Sequence, residues 1–99
     1  MEVSWSPQAF QDVVAADIWW REHRDSKDIL SDEVGAAVLL LQAAPRVGQR
    51  VEGRSKKSET RRLVLRRSRF LLFYEVRETR VHVLRVWHPA QRPGGRLRP

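Results

Sequence analysis

The sequence contains residue types that can catalyse reactions or bind metals, but it does not arrange them in a strong motif. The histidines His23, His82 and His88 are scattered along the chain and have no carboxylate at the spacing of a metal site. There is no P-loop, dinucleotide-binding glycine pattern, HExxH pair or nucleophile-elbow serine. Most carboxylates are expected on helix surfaces, and none forms a credible acid–base pair. We therefore expect neither a metal site nor a cofactor.

Positive charge is an informative signal because it is unevenly placed. The chain contains 19 Lys and Arg against 12 Asp and Glu, a net charge of +7. Residues 1–45 hold three of the basic and eight of the acidic residues, for −5, whereas residues 46–99 hold sixteen and four, for +12. Such a field attracts an anionic partner, namely nucleic acid, a ribonucleoprotein or an acidic polypeptide. The alternative is a solvated face that only keeps the protein soluble.

Length and composition predict one domain in the cytoplasm. Ninety-nine residues with 41% hydrophobic content can bury one modest core. We expect a single domain over residues 1–92 and a flexible basic tail over residues 93–99. The longest apolar stretch, residues 36–41, is far shorter than the roughly 20 residues of a membrane span. The N-terminus lacks a signal pattern, and the absence of cysteine fits a reducing compartment.

Residues 60–89 read as a three-strand antiparallel meander. Three apolar runs, residues 63–65, 70–76 and 81–87, are separated by charged breaks too short for a helical crossover. The central run is apolar on both faces, so one side is expected to pack on helices and the other to dock a partner. In the central run, alternation places Phe70, Leu72 and Tyr74 on one face and Leu71, Phe73 and Glu75 on the other. In the last run, it places Val81, Val83, Arg85 and Trp87 on one face.

The first half of the chain predicts a strand and two helices. Residues 2–5 alternate as a short strand, and Ser6-Pro7 is typical of a helix start. The first helix should end near His23, and the second should begin after Asp25 or Ser26 and end before Pro45. The predicted buried stripes are Phe10, Val13, Val14, Ile18 and Trp20 on the first helix, and Leu30, Val34, Ala37, Val38 and Leu41 on the second.

The adjacent tryptophans Trp19 and Trp20 point about 100° apart on a helix, so at most one is central to the core. The other is either a helix–helix contact or an exposed anchor for binding. The basic loop of residues 45–59, which contains Lys56 and Lys57, is expected to be mobile, binding or partly extended.

The expected fold is therefore α+β: an N-terminal strand and an antiparallel two-helix hairpin packed on an antiparallel sheet, with a C-terminal three-strand meander. With its predicted strands and helices in this order, the chain resembles the ParE/RelE family of bacterial toxins from type II toxin–antitoxin operons over about residues 3–92. The segments that carry the resemblance are WSPQA (residues 5–9), LQAAPRVG (41–48), Arg62-Leu63, FYEV (73–76) and LRVWH (84–88).

The resemblance implies two possible mechanisms. RelE-like members cleave messenger RNA in the ribosomal A site, whereas ParE-like members inhibit DNA gyrase without the nuclease residues. Aligning the aromatic that begins the third strand of RelE-like enzymes with Phe70 puts Leu71 where they have an arginine. The two lysines of their second strand fall at Arg62 and Val64, and the basic pair after the last strand falls at His88 and Pro89. Leu71, Val64 and Pro89 cannot transfer a proton or stabilise phosphate charge, which favours the ParE-like branch.

We therefore expect a ParE-like toxin that acts by binding DNA gyrase, with no catalytic residues of its own. The alternative is a RelE-like endoribonuclease acting on the ribosome and messenger RNA, with His88 as general base, Arg62 and Arg85 as phosphate clamps and Lys56 and Lys57 as electrostatic support. A detoxified binding homologue is a further alternative. The expected target-binding residues are Arg62, Arg85, Trp87, His88 and Arg92.

The resemblance also implies a hetero-oligomer with a cognate acidic antitoxin. An acidic chain with apolar anchors suits a surface that is both basic and apolar, and the groove between sheet and hairpin is its expected seat. Leu72, Tyr74, Trp19 and Trp20 are the expected contacts. Arg62 and Arg85 have a structural alternative to target binding, namely an ordinary salt bridge to Glu75 or Glu59. For Trp87 the structural alternative is core packing.

Overall fold

The computed structural model describes residues 1–52 and 59–90. Lys56, Lys57, Arg92 and the predicted tail lie outside these residues. Within them, seven elements follow one another: β1 (Glu2–Trp5), α1 (Pro7–His23), α2 (Ile29–Ala43), β2 (Gln49–Val51), β3 (Glu59–Val64), β4 (Leu71–Val76) and β5 (Arg80–Trp87). The predicted α+β class, the helical hairpin and the meander are confirmed.

The strands form one sheet in the order β1-β5-β4-β3-β2. Strands β2 to β5 are antiparallel, whereas β1 is parallel to β5, so the sheet is mixed. No tight turn joins β1 to β5, because most of the chain lies between them, and a parallel pairing is therefore possible. The strand β2 lies in the predicted loop of residues 45–59, which is partly extended because Gln49–Val51 pairs with β3.

Local signals explain most helix boundaries. Ser6 caps α1 by accepting a hydrogen bond from the Ala9 N–H at 2.9 Å, and Pro7 follows at the first helical position. The second helix begins at Ile29, later than the predicted start, and its N-cap Asp28 makes no side-chain capping bond. It ends at Ala43, before Pro45, as predicted.

The predicted core is correct for α2, whereas on α1 the structure confirms Trp20 but leaves Phe10, Val14 and Ile18 exposed. On α2, Leu30, Ala37 and Leu41 are buried. On α1 the buried residues are Ala9, Ala16 and Trp20, and most of the large side chains of the predicted stripe are exposed. Because α1 packs against β5, its inner face carries two alanines, whose small side chains permit close approach of helix and sheet. Hydrophobicity alone selects the larger side chains, which here point outward.

A β-bulge in β5 changes which of its residues are buried. Phe73 lies opposite Arg85, whereas Tyr74 lies opposite Val83, so Leu84 is the extra residue. The buried side chains are accordingly Val81, Val83 and then Val86. The prediction that Arg85 and Trp87 share a face with Val81 and Val83 is therefore wrong, because one added residue reverses the alternation.

The turn between β3 and β4 is tied to α2. The Glu33 carboxylate accepts hydrogen bonds from the backbone N–H groups of Arg67 and Ser68 at 2.9 and 2.6 Å. Arg69 adopts a left-handed conformation with φ of 69°. The hairpin of helices and the meander are thus joined by a charge-assisted contact.

Gly48 is required where β2 approaches the core. Its N–H donates to the buried Tyr74 hydroxyl at 2.9 Å, and an added Cβ would lie 2.7 Å from both that oxygen and the Arg62 carbonyl oxygen. We expect Gly48→Ala to lower the free energy of unfolding by about 1–3 kcal/mol, as overpacking does. Urea denaturation measures this, with Gly35→Ala as control.

In the control, Gly35 lies within α2, and an added Cβ has no atom within 4 Å. Gly35→Ala should therefore raise stability by about 0.5–1 kcal/mol through helix propensity. Equal effects of the two substitutions would contradict the close approach at Gly48.

Candidate functional site

The sheet face opposite the buried core carries a row of cationic and aromatic side chains, one of which, Arg85, also contacts α1. Leu72 and Tyr74 of β4 are buried in the core with the helices, so Phe73 points to the other face. Arg62 of β3 and Arg85 of β5 lie directly opposite Phe73 in the register. Side chains in such positions have Cβ atoms roughly 4.5–5.5 Å apart. We call this sheet surface, with Trp87, the outer face.

The outer face brings together three of the five predicted target-binding residues. Trp87 lies opposite Leu71 in the neighbouring row and is only partly buried. The Arg85 guanidinium carbon is 5.1 Å from the centre of the Trp87 ring, a cation–π contact. Phe73, at the centre of the row, was not among the predicted site residues. The apolar alternation on both faces of β4 is the signal that could have identified it.

Arg85 is held in place by α1. Its Nε and Nη2 donate to the two carboxylate oxygens of Asp12 at 2.8 and 3.2 Å, and the Val86 N–H donates to Asp12 Oδ2 at 3.0 Å. The expected alternative of a salt bridge to Glu75 or Glu59 is therefore wrong for Arg85, whose partner is Asp12. The bidentate pair fixes the guanidinium and offsets its charge.

Arg62 has no carboxylate partner in the described part of the chain. Glu59 binds Arg46 and Arg61, and Glu75 binds Arg77, whereas Arg62 Nη2 donates to Gln49 Oε1 at 2.9 Å. Its Nε is buried and makes no hydrogen bond to the described residues. The positive charge of Arg62 is thus the least compensated one in the row.

His88 lies apart from the outer face. Its ring meets the buried Phe70 ring edge-on at 5.1 Å, and its Nδ1 accepts a hydrogen bond from the Ala90 N–H at 3.0 Å. Burial, and secondarily the positive charge of Arg24, lower the pKa of His88 below its ordinary 6.5. Because Phe70 belongs to the core, His88 is on the helix side, and it does not join Arg62 and Arg85.

Three of the four expected antitoxin contacts are core residues. Leu72 and Tyr74 have no exposed surface, and Trp20 is buried with its Nε1 donating to the Ser26 carbonyl at 2.8 Å. Burial raises the pKa of Tyr74, an effect that the Gly48 N–H partly offsets. Side chains buried by their own chain cannot contact a partner, so the expected contacts must be replaced by surface residues.

Trp19 alone among these four is partly exposed. It stacks on His23 with ring centres 4.6 Å apart, and the Arg24 guanidinium carbon lies 4.7 Å from the centre of its indole ring. Trp20 is thus the central tryptophan of the pair, as only one could be.

A groove of about 470 Å³ lies between α2 and the β2–β3 edge of the sheet. Leu40, Val47 and Val64 line it and are exposed. Arg62 and Arg66 also line it, together with Glu33, whose carboxylate is bound to the β3–β4 turn. A groove between sheet and hairpin with an apolar and basic lining is therefore present, and we call it the sheet groove.

Two negative findings concern the described residues only. Among residues 1–52 and 59–90, no three His, Cys, Asp or Glu side chains are grouped as metal ligands would be. No helix in the same part of the chain has the length and apolar character that crossing a membrane requires.

Comparison with known proteins identifies relatives. A family model described as the ParE toxin of the type II toxin–antitoxin system parDE matches residues 3–93. The solved chromosomal ParDE toxin–antitoxin system from P. aeruginosa contains a chain 20% identical, with a TM-score of 0.67, covering 89% of this chain and 95% of the other. The YoeB dimer from Staphylococcus aureus is 14% identical, with a TM-score of 0.56 and the same coverage. No curated protein sequence gives a significant match.

The pair of Asp12 and Arg85 can be tested by substitution. Asp12→Asn should lower the free energy of unfolding by about 1.5–3 kcal/mol, because it removes a charged acceptor from the Arg85 guanidinium and the Val86 N–H. The matched control is Glu22→Gln, a neutralised and exposed acid on the same helix, which should change stability by less than about 0.5 kcal/mol. Chemical denaturation of both variants measures this, and equal effects would exclude a special role for Asp12.

Proposed function

We propose that this chain, which belongs to the ParE toxin family of type II toxin–antitoxin systems, stops growth by binding DNA gyrase in the cytoplasm. The observation that carries the proposal is the row of Arg62, Phe73 and Arg85 on the outer face, with Trp87 beside it. Arginine and large aromatics are the residues that most often dominate the energy of a protein interface. The charge of Arg62, which no carboxylate of the described residues offsets, would also attract the anionic DNA held by the enzyme.

The residues of the row can bind a target but do not supply the groups that cleavage of RNA requires. Neither arginine can act as a general base, because the guanidinium stays protonated. His88 packs edge-on against the core residue Phe70. Cleavage of messenger RNA would need a proton-transfer group beside the cations that hold the phosphate.

We further propose that a cognate acidic antitoxin occupies the sheet groove and forms a hetero-oligomer with the toxin. The exposed Leu40, Val47 and Val64 offer apolar contact, and Arg62 and Arg66 offer positive charge. An acidic amphipathic segment would combine electrostatic steering with apolar burial there. Because Arg62 lines the groove and also belongs to the outer-face row, a bound antitoxin would compete with the target for this residue.

The first test is inhibition of gyrase supercoiling by the purified chain. Arg62→Gln should raise the concentration that gives half-inhibition by about tenfold, the effect of losing one important interface contact. The control is Arg77→Gln, which makes the same charge change at an exposed residue paired with Glu75, and which should inhibit like the original protein.

Three outcomes would overturn the target assignment. Cleavage of ribosome-bound messenger RNA by the purified protein would favour the endoribonuclease alternative. Unaffected supercoiling together with arrested growth would require another target. A protein that does neither would be a detoxified homologue.

The antitoxin site has a separate test with two adjacent leucines of α2. Leu40 lines the sheet groove, whereas Leu39 is exposed and does not. Leu40→Gln should weaken binding of the purified antitoxin, the acidic protein expected from a neighbouring reading frame, by about tenfold through lost apolar burial. Leu39→Gln should leave the dissociation constant unchanged in isothermal titration calorimetry. Equal effects of both substitutions would place the antitoxin elsewhere.

A further inference from the structure

The solvent side of α1 carries an apolar row that neither the core nor the proposed function uses. Phe10, Val14 and Ile18 are 62%, 44% and 55% exposed. Their spacing of four residues puts them on one ridge of the helix, one turn apart. Single exposed apolar side chains are ordinary on protein surfaces, but a contiguous row marks an interaction surface.

A second groove runs beside this row, between the two helices. It has a volume of about 280 Å³, and its lining residues are Val13, Val14, Asp17, Ile18, Leu30, Ser31 and Val34. Apolar side chains therefore form most of its walls, and Val14 and Ile18 belong to both the row and the groove. We call the row and this groove together the hairpin surface.

The groove contains one carboxylate oxygen without a donor. Asp17 Oδ2 accepts from Arg21 Nε at 3.0 Å, whereas Asp17 Oδ1 is buried and has no hydrogen-bond partner among the described residues. A buried acceptor without a donor destabilises the folded chain. The Asp17 side chain as a whole is 29% exposed.

Charge decides which molecule fits. From Asp17 to Asp32 the hairpin carries five acidic and three basic residues, a net charge of −2. Arg21 pairs with Asp17 and Asp28, whereas Glu22 and Asp32 are exposed. A second copy placed symmetrically on this surface would bring two acidic hairpins together. An acidic antitoxin segment or an anionic lipid surface would be repelled in the same way. A cationic partner would be attracted.

We propose that the hairpin surface docks a cationic amphipathic α-helix of a partner protein. Its apolar residues would pack along Phe10, Val14 and Ile18, since a helix presents a matching ridge to the groove between two helices. A lysine or arginine of that helix would donate to Asp17 Oδ1. Because the helices lie between this surface and the sheet, the outer face remains accessible while the partner is bound.

The test uses the full chain and a fluorescently labelled designed peptide. The peptide has about 18 residues, or five helical turns, with leucines on one face and lysines on the other. A second peptide keeps the lysines but replaces every leucine with glutamine, because a glutamate version would also fit the sheet groove. In fluorescence anisotropy the first peptide, called the lysine peptide, should bind at least about tenfold more tightly than the second.

Three variants of the toxin complete the experiment. Ile18→Gln and Asp17→Asn should each weaken binding of the lysine peptide about five- to tenfold. Leu39→Gln, which alters an exposed leucine of α2 away from the groove, should leave it unchanged. Equal binding of the two peptides, absence of binding, or an Ile18→Gln variant that binds normally would overturn the proposal.

Self-association is measured separately. In size-exclusion chromatography with light scattering, Ile18→Gln should not change the molar mass of the unliganded chain. A dimer that this substitution dissociates would make a second copy the occupant and overturn the proposal. Gyrase inhibition by Ile18→Gln should equal that of the unaltered protein. The peptide-binding result therefore does not depend on whether gyrase is the target.

Discussion

The contact between the start of α1 and the bulge of β5 is the interaction on which the rest of the structure depends. The Ser6 N–H donates to the Val83 carbonyl, its hydroxyl donates to the Leu84 carbonyl and accepts from the Ala9 N–H, each at 2.9 Å. Two turns later, Asp12 binds Arg85 and the Val86 N–H. One segment therefore caps the helix, supplies partners to the irregular part of the strand and sets the position of α1 on the sheet.

The bulge has a direct consequence for the outer face. If Leu84 were paired as a regular strand residue, Arg85 and Trp87 would continue the buried alternation of Val81 and Val83. With it, Val86 is buried and Arg85 lies opposite Phe73 on the other face. Burying an arginine and a tryptophan there would cost desolvation of the charge. The same irregularity thus completes the core and creates the cationic row.

The distribution of charge separates three surfaces by the partner that each can accept. The outer face and the sheet side of the sheet groove lie in the basic half of the sequence, whereas α2 lines the other side of the groove, and Arg62 belongs to both surfaces. The hairpin surface lies in the acidic half and contains a carboxylate oxygen with no hydrogen-bond partner among the described residues. In the proposed function, the overlap of the two basic surfaces at Arg62 would let the antitoxin and the target exclude one another.

The sequence by itself determined the element types and the charge distribution, because these depend on local spacing and composition. The stripe of α2, the cap at Ser6 and the runs of the meander follow from periodicity that any fold must respect. Tertiary structure decided which face of α1 is buried, since only close packing on β5 distinguishes Ala9 and Ala16 from larger neighbours. It also decided the bulge at Leu84 and the pairing of β2, because both depend on partners far away in sequence. The row of Arg62, Phe73 and Arg85 exists only through that register.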